Sequence, residues 1–140
     1  MSANLELVKG IFALEGLFEF LKRGEGLFDQ VYTEDALIDV RDFDTPGLDP
    51  VYVGHKEIRR FWMDWFGPWN SMTWQADFHE KGEWVLADVY EFRVEGESSG
   101  IELEMPHGQT FLFRNGLVDR TRIHPEREFA FVEAGIDPPS

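Results

Sequence analysis

Tyr52-Val53-Gly54-His55-Lys56-Glu57-Ile58-Arg59-Arg60-Phe61-Trp62-Met63-Asp64-Trp65-Phe66 is the stretch that decides the fold. Val53 and Gly54 close an extended segment, and a helix starts at about His55. Ile58, Phe61, Trp62 and Trp65 fall at i, i+3, i+4 and i+7, which is one helical face. Lys56, Glu57, Arg59, Arg60 and Asp64 lie mostly off it, and Gly67-Pro68 stops the helix. So short a helix with so much aromatic surface needs a wide cover, and the strands that follow it are the candidate. Its rings are core by the burial habits of large aromatics, and some of them can also roof a ligand pocket.

Before this helix, residues 5–22 read as an amphipathic helix with Leu7, Ile11, Leu14, Phe18 and Leu21 in one stripe. Gly24 breaks it, and a short helix covers about 26–32. The chain turns at Thr33-Glu34-Asp35, and Ala36–Arg41 reads as a strand. Asp42–Pro50 is a turn-rich loop in the position of a lid. After the aromatic helix the period changes to two. Met72–His79, Trp84–Glu95, Ile101–Phe113 and Leu117–His124 read as strands, the third bent at Pro106. Lys81-Gly82 and Arg114-Asn115-Gly116 are their tight turns. Pro125 opens a last helix that runs to about Ala134 and stops at Gly135. Helices clustered ahead of a meander pack on one face of the sheet, an α+β arrangement, and a strongly curved sheet closed by helices leaves a cavity inside a cone.

At 140 residues, 43% of them hydrophobic, the chain reads as a single domain, residues 1–140, with its core at about 5–136 and a loose tail over 137–140. The absence of cysteine excludes disulfides and thiol chemistry. A formal net charge of −14 argues against nucleic acid and anionic membrane as partners. No leader pattern and no bilayer-length apolar run is apparent, so a cytoplasmic location is the default expectation. There is no His-x-His or His-x-x-x-His, no Gly-x-Ser-x-Gly and no Gly-rich phosphate loop; neither a metal nor a cofactor is expected.

The element order, together with Leu21-Lys22-Arg23-Gly24-Glu25, Tyr52–Trp62, Phe111-Leu112-Phe113-Arg114-Asn115-Gly116-Leu117-Val118 and Arg120-Thr121-Arg122-Ile123-His124, resembles the SnoaL-like polyketide cyclases over roughly residues 11–136. That family lies within the nuclear transport factor 2-like superfamily, which also holds the ketosteroid isomerases. The resemblance implies a cone-shaped, curved mixed sheet with the N-terminal helices on its concave face. It also implies a homodimer formed through the sheet. Aligned on Gly24, Ala36-Leu37-Ile38 and Phe111-Leu112-Phe113, the isomerases' oxyanion tyrosine falls at Leu17, their base at Val40 and their oxyanion aspartate at Gln109. The isomerase constellation is therefore not reproduced, and Asp39, one residue off, points to the opposite face.

Cyclase chemistry of the SnoaL kind needs fewer groups: a proton donor and acceptor and a folded apolar cavity. Asp88, His107 and Gln109 are the candidates, with Leu17, Val40, Trp62, Trp65, Tyr90, Phe111 and His124 as pocket walls. By strict alternation Leu86, Asp88, Tyr90 and Phe92 share one face. On the concave side Asp88 would be a carboxylate in an apolar wall, usable as acid or base. On the outer side it would be a solvated or ion-paired group, with Arg120 or Arg122 as partner. Val85, Ala87 and Val89, if they point outward, would form an outer apolar patch that a second copy covers. Met105, His107, Gln109, Phe111 and Phe113 share an internal face, where Gln109 would donate to a ligand carbonyl and His107 would titrate near neutrality. His124 is equally a junction residue. The expectation is a domain that binds a hydrophobic, oxygen-bearing small molecule, with cofactor-free isomerase, cyclase or dehydratase chemistry, or else a non-catalytic ligand-binding or dimerisation module.

Overall fold

The structure, a computed structural model, describes residues 2–13, 25–43, 47–66, 69–96 and 100–139. Among them are four helices, α1 (Ala3–Phe12), α2 (Glu25–Val31), α3 (His55–Phe66) and α4 (Arg127–Ala134). The strands are β1 (Tyr32–Asp39), β2 (Val51–Val53), β3 (Trp69–Lys81), β4 (Trp84–Gly96), β5 (Glu102–Glu104), β6 (His107–Arg114) and β7 (Leu117–His124). They form one sheet in the order β2-β1-β7-β6-β4-β3, with β5 added on β4. The β1–β7 pair is parallel and the others are antiparallel, so the sheet is mixed. No helix of the described residues is long and apolar enough to cross a membrane.

The aromatic helix is seated as its periodicity requires. Ile58, Phe61, Trp62 and Trp65 are all buried, in one core with Ala36 and Ile38 of β1, Val40 just beyond it, and Phe111 and Phe113 of β6. Its first turn is tied down by His55, whose Nε2 donates to the Thr33 carbonyl at 2.9 Å while Nδ1 lies 3.2 Å from the Asp29 carboxylate. Thr33-Glu34-Asp35 is extended rather than a turn, with Thr33 Oγ1 donating to Asp119 and Asp35 paired with Arg114, both at 2.8 Å, and β1 begins at Tyr32. The lost regularity survives as a register shift against β7 between Tyr32 and Leu37. Ser2 caps α1 through the Leu5 amide, at 3.1 Å. The second half of the helix expected over 5–22, and Leu17 with it, lies outside the described residues.

Two irregularities bend the sheet, and they lie side by side. Along β4, Gln75 pairs with Glu91 but Asp77 pairs with Asp88, so Val89 and Tyr90 together oppose one β3 residue. This bulge reverses the alternation. Val85, Ala87 and Val89 face the main core, and so do Phe92 and Val94; Leu86, Asp88 and Tyr90 face away. The expected common face of Leu86, Asp88, Tyr90 and Phe92 is thus broken, and Val85, Ala87 and Val89 form no outer patch. On the other side of β4 the expected strand 101–113 is divided. β5 pairs with Arg93–Glu95, β6 starts opposite Val89, and Met105-Pro106 steps across the bulge between them. Proline has no N–H to give the ladder, which suits it to this break.

Helix α4 covers the outer face of the sheet, opposite α1 and α3. Ala130, Phe131 and Ala134 pack on Leu86. The approach is close because Gly108 has no side chain: a Cβ there would lie 2.5 Å from the Ala130 Cβ. Gly135 ends the helix in the left-handed region at φ 69°. Asn115 and Gly116, at φ 54° and 81°, make the β6–β7 turn.

Candidate functional site

The bulge in β4 and the break before β6 put His107 and Gln109 on the concave side, under α3. Phe12 from α1, Trp62 and Trp65 from α3, Trp74 from β3 and Phe92 from β4 surround a pocket in which His107 and Gln109 are the polar members among the described residues. The cavity volume is about 20 Å³; the atom-free space around it, about 340 Å³, includes open solvent. The pocket is a narrow slot between rings.

His107 has no exposed surface. The rings of Phe43, Trp65 and Phe92 meet it edge-on, with centroids 5.8, 5.7 and 5.0 Å away. No charged group is among these neighbours, so burial penalises the imidazolium and pulls the His107 pKa down to about 4. At neutral pH the ring is uncharged and carries one proton. That proton is on Nδ1, which lies 2.9 Å from the Met105 carbonyl, a group that can only accept. Nε2 is therefore a bare acceptor, and the group 3.0 Å from it is the Gln109 amide nitrogen, which donates. The chain of bonds fixes the orientation of the amide. It leaves Oε1 of Gln109, a residue of the pocket lining, buried and without a hydrogen-bond partner.

The other expected residues divide between the two faces. Trp62 and Trp65 line the pocket; Val40 and Phe111 are fully packed in the core beside it. Asp88 is not in the concave wall. It is 2% exposed on the outer face, and both of its oxygens are taken by Arg127 of α4, at 2.5 and 2.8 Å. Its partner is neither Arg120 nor Arg122, which lie with Glu133. Tyr90 is 39% exposed and donates to Gln75 Oε1 at 3.1 Å, away from the pocket. His124 is also an outer-face residue, its Nε2 2.9 Å from the Glu133 carboxylate. Asp39 accepts from the Arg41 backbone N–H and guanidinium, on the side opposite Ile38 and Val40.

Trp74, Phe92, Phe43 and Phe12 belong to the pocket region although the sequence did not single them out. Trp74 shares its inward parity with Met72, Ala76 and Phe78 along β3, a signal that was readable. Phe92 was hidden by the bulge. Tyr32 was also missed: Trp62 Nε1 donates to its hydroxyl at 3.3 Å, and burial drives its pKa far up, so it stays protonated. Among the described residues no three side chains of His, Asp or Glu come together as metal ligands would.

No protein-family model and no curated protein sequence matches the chain. Solved structures do. TerC, crystallised with polyporic acid, shares 20% identity over 95% of this chain and 98% of its own, with a TM-score of 0.67. A nuclear transport factor 2-like protein of unknown function from Burkholderia pseudomallei K96243 shares 21% identity over 96% and 98%, with a TM-score of 0.69. A SnoaL-like protein from Jannaschia sp. CCS1, classed with the polyketide cyclases, shares 16% over 98% and 94%, with a TM-score of 0.65. At these identities the likeness establishes the fold. It is the α+β cone of the nuclear transport factor 2-like proteins, the one the SnoaL-like resemblance implied.

Proposed function

We propose that this chain is a ligand-binding domain that takes a compact, mostly apolar small molecule in the slot between α3 and the concave sheet. One observation carries the proposal: a buried polar pair, His107 and Gln109, set among aromatic rings and left with an unused hydrogen-bonding atom. An unsatisfied buried polar group costs about 1–3 kcal/mol. A site that retains one amid hydrophobic walls has the make-up of a ligand pocket, in which a few placed polar groups orient the guest. TerC, of the same fold, was crystallised with a small organic molecule, which supports this use of the cone.

The reading takes the non-catalytic branch of the sequence expectation. Acid–base work on a carbonyl compound needs a proton carrier at the ligand. Asp88 is held by Arg127 on the far side of the sheet, and His107 is neutral with both nitrogens engaged. A partner copy belongs to the same reading, supported by Phe129 and Val132, 56% and 75% exposed on α4; sedimentation at two concentrations tests it. For the ligand site, the test is a screen of small apolar compounds followed by the indole N–H resonances of the five tryptophans. Binding in the slot shifts the Trp62 and Trp65 signals. A shift of Trp74, which lines the same slot, counts with them; compounds that bind and move only Trp69 or Trp84 would place the site elsewhere and overturn the proposal.

A further inference from the structure

We infer that the ligand of this pocket is a hydrogen-bond donor, an apolar molecule with a hydroxyl or N–H group directed at Gln109 Oε1, and that carbonyl compounds without such a group are disfavoured. The inference rests on the pocket assignment above and adds the chemistry of the guest.

The Met105 carbonyl is an obligate acceptor, so the uncharged His107 holds its proton on Nδ1. Nε2 then offers a lone pair, and the only amide group of Gln109 that can face it is NH₂. Turning the amide over would set Oε1 against that lone pair. Placing the proton on Nε2 to relieve this would set the Nδ1 lone pair against the Met105 oxygen. Only one arrangement satisfies all three residues, and in it Oε1 is an acceptor atom left with no partner at all. Gln109 is only 3% exposed, and it lines the slot. The site therefore asks for a donor, whereas an oxyanion hole offers one. This reverses the expectation that Gln109 would donate to a ligand carbonyl.

The size of the slot sharpens the preference. The cavity, about 20 Å³, has room for about one water or for the donor group of a guest, whose apolar body would take the space between the rings that opens to solvent. A water there would donate to Oε1. A guest that displaces it with its own O–H or N–H keeps the bond, and a guest that brings a carbonyl or a methyl group leaves Oε1 unpaired and loses affinity.

Matched probes of one size separate these cases: cyclohexanol, cyclohexanone, cyclohexylamine and methylcyclohexane, titrated at millimolar concentration with the tryptophan indole N–H signals as the readout. The expected result is binding of the alcohol or the amine about tenfold tighter than the ketone, the difference one net hydrogen bond makes. The amine against the alcohol tells whether the donor is N–H or O–H. Gln109→Met keeps the length and removes the acceptor, and the tenfold preference should vanish. Should that variant not fold, the wild-type comparison still decides. Equal or tighter binding of cyclohexanone, with the same tryptophans shifted, overturns the donor inference and leaves the pocket assignment standing. Failure of all four probes to shift Trp62, Trp65 or Trp74 overturns the pocket assignment, and this inference with it.

Discussion

Replacing His107 by phenylalanine should flatten the acid side of the stability profile. In the folded chain His107 is uncharged down to about pH 4, because its ring lies against Phe43, Trp65 and Phe92 with no countercharge. In the unfolded chain it protonates near its ordinary value of 6.5. Between those two values the unfolded state binds the proton and the folded state does not, so stability falls as pH falls. The stabilising difference is whole above pH 6.5 and is lost progressively toward pH 4. At about 1.36 kcal/mol per pH unit the full window is worth roughly 3 kcal/mol. Urea denaturation followed by tryptophan fluorescence at pH 7, 5.5 and 4 measures it. The carboxylates and the other three histidines are common to both proteins, so the difference between the two profiles isolates position 107. The variant is expected to start lower at pH 7, since Gln109 loses its partner, and to lose up to roughly 3 kcal/mol less than wild type on the way to pH 4. Parallel profiles would mean that His107 is hydrated or charged in the folded protein. The fixed orientation of Gln109 would then lose its basis.

Three further substitutions probe the frame of the site. Gly108→Ala sets a Cβ 2.5 Å from that of Ala130, and the shift this forces on α4 should cost about 1–3 kcal/mol in a urea melt; Ala130→Gly in the same chain should recover most of it. Asp88→Asn should destabilise by about 1–2 kcal/mol, because Arg127 loses a charged bidentate partner but keeps access to solvent. Ligand binding in the concave slot should be unchanged by Asp88→Asn, and a change of affinity measured by calorimetry would contradict the outer-face placement. Gly116→Ala should cost roughly 1–2 kcal/mol of thermal stability, since residue 116 sits at φ 81°.

Most of the frame was legible because it rests on period and punctuation. The aromatic face of α3, the Asn115-Gly116 turn, the Gly135 stop and the disturbance at Pro106 are local facts of the sequence, and the structure has them where the residues put them. The site was harder, for two reasons that are physical. Alternation carries a face assignment only as far as the next bulge, and the extra residue at Val89-Tyr90 sends Asp88 and Phe92 to opposite sides. A carboxylate beside valines looks like an active-site acid until the helix that supplies its arginine is placed. Gly108 was the available clue. A glycine in the middle of a strand, directly opposite Asp88 in register, marks a close backbone approach on that face. The terminal helix, with Ala130, Phe131 and Ala134 to bury, was the element to make it. Taken together, these two signals put Asp88 under α4 and leave His107 and Gln109, the neighbours of Gly108 on either side, facing the other way. The same glycine that admits the helix on the outside thus identifies the two polar groups that remain inside the cone.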